Sequence, residues 1–212
     1  MKFLDFLWPQ VGSVADDATM ASDLDVITSA AWDKQQDIVL EEARRLRDFE
    51  TNRKTTAETK SQIYLAALLA LIPILVSLAD HESSKGLLEF NNWYQSLGFC
   101  CYVLAIAYGI GAFVSSFRAL TVRAYHRVDV IEISKSSASK APAVSLGKDI
   151  LESVRKDRPS VNLKISFVVV SHRLILRMAF LLLLALSLIT LVPLLERAVA
   201  AISASQGELK GD

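Results

Sequence analysis

Side chains that could do acid–base, metal or nucleophilic chemistry are few and scattered along this chain of 212 residues. The three histidines, His81, His126 and His172, lie in three different regions. Cys100 and Cys101 are adjacent, so they cannot link distant parts of the chain, and no metal-ligand spacing surrounds them. The sequence has no HExxH, GxSxG or CxxC motif and no glycine-rich phosphate loop. We therefore expect a protein that is not an enzyme and holds no metal or cofactor.

Three apolar runs dominate the sequence, at residues 63–79, 97–117 and 178–195. None of them contains Asp, Glu, Lys, Arg or His. A helix of about 20 apolar residues crosses a bilayer, and a charge at its centre costs roughly 2.5–3.5 kcal/mol. The expected fold is an all-α integral membrane protein with three transmembrane helices and long cytoplasmic helical extensions. Spans without ionisable groups also argue against a carrier with a built-in coupling site.

Lys and Arg are distributed unevenly around these runs, although the 23 basic and 23 acidic residues of the chain cancel. Residues 44–60 carry six, residues 80–92 carry one, residues 118–177 carry twelve and the residues after 195 carry two. Cytoplasmic flanks of membrane spans are enriched in these residues. The pattern predicts a multi-pass protein with a cytoplasmic N-terminus, an outer hairpin and an outer C-terminal tail. No clustered basic surface is indicated, so nucleic acid is not an expected partner.

The patterns divide the chain into four regions. Residues 1–32 form a cytoplasmic N-terminal region, and its apolar start is too interrupted for a cleavable signal. Two interpretations fit residues 1–8, namely a short interfacial helix and a packed or unstructured terminus. The other regions are 33–135, with a long helix, span 1 (63–79), an outer hairpin, span 2 (about 95–117) and its cytoplasmic extension; 136–161, a mobile cytoplasmic loop with a short helix; and 162–212, a long helix with span 3 (178–195) and an outer tail.

Helical periodicity predicts that the first span continues a long inner helix. Val39, Ala43, Leu46 and Phe49 recur at the spacing of one helical face. No Gly or Pro separates them from the first apolar run, so we expect a nearly continuous helix over residues 33–79.

The second and third spans are also predicted to extend inward. A stripe formed by Leu120, Ala124, Val128 and Ile131 extends the second helix to Ile133. Residues 134–148 are small and polar, which is typical of a mobile linker. Pro159 is expected to break the short helix that follows, and a last helix then runs over residues 164–195 for about 48 Å. That length exceeds the core of a bilayer, so its first half must project into the cytosol.

Small residues recur along the second span at the spacing of a helix-packing seam. Small side chains let helix backbones approach closely in lipid. The seam could join helices of one chain or join two subunits, and self-association is slightly favoured because three spans make a thin bundle. The seam residues are Ala105, Ala107, Gly109, Gly111, Ser115 and Ala119.

Two further sets of residues mark the ends and bends of the spans. Long basic side chains at a membrane boundary can reach the headgroups, and proline removes a helix hydrogen bond. The prolines either flare the outer ends of their helices or are simply tolerated there. The boundary residues are Lys60, Arg118, Arg123, Arg173 and Arg177, and the kink residues are Pro73 and Pro193.

The stretch around the start of the first span resembles a known family of small membrane proteins. It has a charged helix with acidic and Arg residues, a Lys just before the span, and then the apolar run. This layout resembles that of SLATT-like proteins, two-span effectors of bacterial anti-phage systems that accompany nucleotide-second-messenger sensors; the present sequence has a third span. The residues that carry the resemblance are Asp48, Phe49, Glu50, Arg53, Glu58 and Lys60.

The resemblance implies a protein of the bacterial inner membrane that acts in anti-phage defence. The expected function is that of a self-associating effector that perturbs the membrane or forms a pore, controlled through its cytoplasmic helices. The alternative is a membrane anchor or accessory subunit that docks a soluble cytoplasmic partner. The expected partners are the lipid bilayer, further copies of the chain and, for the alternative, that soluble protein.

Overall fold

A computed structural model of the chain describes Pro9 and residues 17–32, 36–80, 92–121 and 128–208. These residues form five α-helices and no strand. The helices are α1 (Asp17–Ser29), α2 (Gln36–Asp80), α3 (Trp93–Leu120), α4 (Val130–Ser137) and α5 (Pro142–Glu208). Three of them, α2, α3 and α5, are long and apolar enough to cross a membrane, which confirms an all-helical fold with three candidate transmembrane helices.

The chain separates into two compact units. The polar unit contains Met1–Ile63 and Ser115–Val170, and the apolar unit contains Tyr64–Val114 and Ser171–Asp212. The chain passes from one unit to the other close to the predicted cytoplasmic end of each of the three apolar runs.

Helix α2 is one continuous helix of 45 residues that includes Pro73. Its buried positions recur every seven residues at Ala43, Glu50 and Ala57. A seven-residue repeat keeps one seam of a helix against a partner helix, as in coiled coils. The predicted stripe is therefore correct at Val39 and Ala43 but wrong further along, because Leu46 is 37% exposed and Phe49 is 59% exposed.

Helix α5 follows the same repeat over a much longer distance. One buried row begins with a glycine and continues with valine at every seventh position, and a second row lies three residues further along. The second row carries polar side chains in the middle of the series. The first row is Gly147, Val154, Val161 and Val168, and the second includes Ile150, Lys164, Ser171, Met178 and Ala185.

The long α5 helix contradicts the predicted mobile loop. Residues 142–161 are helical, and the non-helical connection between α4 and α5 is confined to residues 138–141. The helix begins at Pro142, and the first position of a helix needs no N–H for an intrahelical hydrogen bond. The first hydrogen bond of the helix runs from the Ser145 N–H to the Ala141 carbonyl oxygen. The predicted break at Pro159 is also wrong. Val154 and Val161 are buried on either side of it, and their packing offsets the hydrogen bond that the proline removes.

The predicted extension of the second span to Ile133 is wrong as well. Helix α3 ends at Leu120, and Asp129 has an extended backbone that starts the separate helix α4. The Asp129 carboxylate accepts from the Val130 N–H at 2.7 Å and from the Glu132 N–H, and the Asp129 N–H donates to the Glu132 carboxylate at 3.2 Å. This capping box fixes a new helix start inside the predicted stripe. Ala124 lies outside the described residues.

In the polar unit, α2 and α5 are parallel and very close. A Cβ atom added at Gly147 would lie 3.1 Å from Val39 Cγ1 and 3.6 Å from the Leu40 Cα atom. Beside this approach, Ala43 packs in an apolar cluster with Ile150 and Val154. The glycine and the alanine therefore let the two backbones approach at this end of the unit.

In the apolar unit, α3 packs antiparallel to α5. A Cβ atom at Gly98 would lie 3.3 Å from Ile189 Cγ1, and one at Gly109 would lie 2.9 Å from the Met178 sulfur. The contact thus moves toward the start of α5 as it advances along α3. Two helices that are antiparallel in this way cross a bilayer in opposite directions if both are inserted.

Candidate functional site: a buried charged layer

The polar unit contains a set of charged side chains packed between α2 and α5, which we call the charged layer. It consists of Glu50, Arg53, Glu58, Arg158 and Lys164. At its centre, Glu50 is only 6% exposed. Its carboxylate accepts from Arg53 Nη1 at 2.8 and 2.9 Å, and Arg158 Nε lies 3.3 Å from the same carboxylate. Two guanidinium groups therefore compensate one buried carboxylate.

Lys164 is the most buried cation of the charged layer. Its residue is 3% exposed, and its ammonium donates to Glu58 Oε1 at 2.5 Å. The Glu58 side chain is 30% exposed, so the carboxylate has access to water while the ammonium has almost none. Removing a charge from water costs several kcal/mol, and only a close partner and hydrogen bonds offset that cost.

The charged layer fixes how α2 and α5 are aligned. Arg53 also donates to Asn162 Oδ1 at 3.0 Å, across 109 positions, and Lys164 reaches Glu58 across 106 positions. The nearly constant offset means that the two helices run parallel with their seven-residue repeats in phase. A polar side chain at a core position of such a pair sets the register at some cost in stability. Lys164 occupies such a position in α5.

Helix α1 is attached to the polar unit by polar contacts. Arg155 Nε donates to Asp23 at 2.7 Å, and Lys148 Nζ donates to the Thr28 carbonyl oxygen at 2.8 Å. That carbonyl belongs to the last turn of α1, where a cation is favourable. No side chain described in residues 19–29 is buried, so α1 lies on the surface of its unit.

The apolar unit contains polar contacts of its own, made by residues within the first and second apolar runs and by residues shortly before the third. The Tyr64 hydroxyl and His172 Nδ1 are 3.1 Å apart, with the rings stacked. The Arg177 guanidinium lies 5.9 Å from the centre of the Tyr108 ring, a cation–π distance. His81 and His126 lie outside the described residues, and no metal-binding group of three or more His, Cys, Asp or Glu occurs within the described ranges.

The six predicted seam residues differ in burial. Ala105 and Gly111 in the apolar unit and Ala119 in the polar unit are buried, whereas Gly109 and Ser115 are partly exposed and Ala107 is exposed. Gly109 lies against Met178 of the same chain. These placements locate Gly109 at a contact within the chain and leave Ala107 as an exposed small residue on α3. A seam between subunits stays a prediction.

The other predicted residues lie mainly on the surface. Lys60, Arg118 and Arg173 are exposed, Arg177 is half-buried, and Arg123 is outside the described residues. Pro73 is exposed and Pro193 is half-buried, each inside a continuous helix.

The charged layer as a whole was not among the predicted sites. The Glu50 to Arg53 spacing is visible in the sequence, but Arg158 and Lys164 were assigned to opposite sides of a helix break. The signal that could have joined them is the repeat of Val154, Val161 and Val168 at seven-residue intervals, which continues through Pro159.

Few residues of the three candidate spans are buried inside the protein. Only 11% of the most apolar stretch of α2, 28% of that of α3 and 11% of that of α5 is buried in the protein. Exposed apolar surface on this scale marks a membrane or protein interface. A comparison with protein-family models, curated proteins and solved structures found no match.

Proposed function

We propose that this chain is a multi-pass protein of the bacterial inner membrane that self-associates and perturbs or permeabilises the membrane. Its polar unit and N-terminus are cytoplasmic, its C-terminal tail is outside, and a signal acting on the polar unit controls the spans. The observation that carries the proposal is the division of the chain into a polar and an apolar unit. The segments predicted to be cytoplasmic, around residues 36–63 and 128–170, fall in one compact unit, as segments on the same side of a membrane can.

Two features support a responsive protein and not a rigid anchor. The helices that lead into the first and third spans meet through the charged layer, and buried ion pairs are a weak source of stability. The resemblance of the stretch around Asp48 and Lys60 to SLATT-like effectors adds the role in anti-phage defence. No catalytic step is part of this proposal.

The proposal is tested by producing the chain alone in bacterial cells and recording the membrane potential with a voltage-sensitive dye. We expect depolarisation soon after induction. The matched control is Ala43→Asp, which leaves all three spans unchanged but disturbs the polar unit, and which should insert without depolarising the cells. An unchanged potential with correctly inserted wild-type protein would contradict the effector role.

A specific observation favours the alternative function, a membrane anchor for a soluble partner. Helix α4 exposes Val130 by 75%, Ile131 by 63% and Ile133 by 49% on the polar unit. An apolar patch of this kind on a polar surface suits a protein partner. The dye experiment separates the two functions, because an anchor alone should leave the membrane potential intact.

If the chain self-associates through α3, substitutions at two of its alanines should have different effects from each other. Ala107 is exposed, so Ala107→Leu should weaken contacts between subunits without harming the chain. Ala105 is fully buried, so Ala105→Leu should lower the stability of the chain itself by about 1–3 kcal/mol. Cross-linking in membranes and thermal unfolding in detergent measure the two effects. The same oligomer for wild type and Ala107→Leu would show that this face is not the interface.

A further inference from the structure

The polar unit contains a groove of about 270 Å³ between α2 and α5. Its polar lining comes from one side of α2, at Asn52, Arg53, Thr56 and Lys60, and its apolar lining comes from both helices. Asn52, Thr56 and Lys60 recur at four-residue intervals, so their side chains lie on successive turns of one row. The groove therefore has a polar edge beside an apolar wall, and small-molecule sites combine these two kinds of surface.

The polar edge of the groove offers hydrogen-bond donors that the described part of the protein leaves unused. The Lys60 ammonium, the Thr56 hydroxyl and the Asn52 amide have no hydrogen-bond or ion-pair partner among the described residues. The Arg53 guanidinium is held in place by its hydrogen bonds to Glu50, and its Nε–H has no partner among those residues either. Lys and Arg side chains donate and do not accept. A ligand of this edge must accordingly supply acceptor atoms.

The charge of the groove lining is positive. Its charged residues are Arg53 and Lys60, and no carboxylate lines it. The Glu50 carboxylate that contacts Arg53 is shared with Arg158, so positive charge remains at this edge. A second groove beside α2 and α5, of about 380 Å³, is lined by two cations and three carboxylates, whose charges compensate one another. The first groove, unlike the second, therefore attracts an anion.

We propose that this groove binds a phosphate monoester whose organic part is aromatic or apolar. A phosphate monoester carries about 1.5–2 negative charges near pH 7 and three strong acceptor oxygens, which suits two cations and a row of donors. A carboxylate has fewer charges and fewer oxygens. The organic part is recognised by the exposed apolar lining, at Phe49 on α2 and Val169 on α5, which are 59% and 43% exposed. The Arg53 guanidinium lies 6.0 Å from the centre of the Phe49 ring, so the aromatic surface is next to a cation of the polar edge.

Two sources supply this chemistry, a soluble ester and the headgroup of phosphatidic acid. Lys60 lies three residues before the first apolar run, and Phe49 lies eleven residues before Lys60, about 16 Å along the helix. The headgroup layer on each side of a bilayer is only about 5–8 Å thick. If α2 is inserted, a headgroup phosphate therefore meets the Lys60 end of the groove alone, whereas a soluble ester also meets Phe49.

The test uses the full chain in maltoside micelles and two probes. Isothermal titration calorimetry measures the binding of phenyl phosphate, and native mass spectrometry measures the binding of phosphatidic acid. Lys60→Gln should weaken binding about tenfold or more, because it removes a charge-assisted hydrogen bond. Lys140→Gln, at an exposed lysine of the same unit outside the groove, should leave binding unchanged. Phe49→Ala should weaken the binding of phenyl phosphate and leave that of phosphatidic acid unchanged.

Three results would overturn the inference. Equal weakening by Lys60→Gln and Lys140→Gln would mean that the probes bind any surface cation. Phenol that binds as tightly as phenyl phosphate would mean that the groove does not recognise the phosphate. Binding of neither probe, by a chain whose helices are intact by circular dichroism, would reject the site.

The remaining outcomes support the inference and identify the source of the phosphate. Binding of phosphatidic acid alone would assign the site to a lipid headgroup, and binding of phenyl phosphate that depends on Phe49 would assign it to a soluble ester. The site belongs to the polar unit and does not depend on the proposed function. A chain that binds either probe and leaves the membrane potential unchanged would retain the site and lose only the effector role.

Discussion

Glu58→Leu is expected to lower the free energy of unfolding by about 3 kcal/mol. The variant deprives the ammonium of Lys164, whose side chain is only 4% exposed, of the carboxylate that it contacts at 2.5 Å. A buried cation that loses its ion-pair partner retains its desolvation cost. Denaturant unfolding in detergent micelles, followed through the helical signal of circular dichroism, measures the loss.

Replacing the other partner of the pair should lower the free energy of unfolding much less, and this difference between the two variants is the control. Lys164→Met removes the buried charge and leaves Glu58, which is 30% exposed and can be hydrated. We expect a change within about 1 kcal/mol, and a similar value for Glu58→Leu combined with Lys164→Met. Equal losses for the two single variants would show that burial of the ammonium does not determine the energetics of the pair.

Ala43→Asp is expected to unfold much of the polar unit. Ala43 is fully buried against Ile150 and Val154, so an aspartate there would be a charge without a compensating partner in an apolar cluster. The expected cost is about 4 kcal/mol or more. Hydrogen exchange of the α2 amides before the first span should become fast, and the depolarising activity should be lost while the protein still inserts.

The control for Ala43→Asp is an aspartate introduced about one helical turn further along α2. Leu46 is 37% exposed, so Leu46→Asp should cost about 1 kcal/mol and preserve activity. A larger effect at Leu46 than at Ala43 would mean that α2 presents a different face to α5.

The apolar runs and the long first helix could be predicted from the sequence because each depends on local composition. Charge-free runs and strong helix formers need no knowledge of their neighbours. The face that α2 buries could not be predicted in the same way. A stripe drawn through Val39, Ala43, Leu46 and Phe49 assumes a single apolar side. The helix instead buries Glu50, because Arg53 of the same helix and Arg158 of another helix compensate its charge.

The predicted ends of the helices were wrong for a related reason. Pro159, Pro142 and Gly147 have low intrinsic helix preference, and the buried repeat of α5 overrides it. At Asp129 the opposite happened, since an apolar stripe predicted a continuous helix and a local capping box ended it. The seam residues of α3 were assigned from size alone, which cannot distinguish a neighbour in the same chain, such as Met178 against Gly109, from one in another subunit.

Topology reporters test whether three helices cross a membrane with the polar unit on one side. We would fuse a reporter that distinguishes the cytoplasm from the periplasm after Gln62, at Ser84, at Ser137 and after Ser205. We expect cytoplasmic, periplasmic, cytoplasmic and periplasmic signals, in that order. A periplasmic signal at Ser137 would contradict it, because Ser137 ends a helix of the same compact unit as the residues before Gln62.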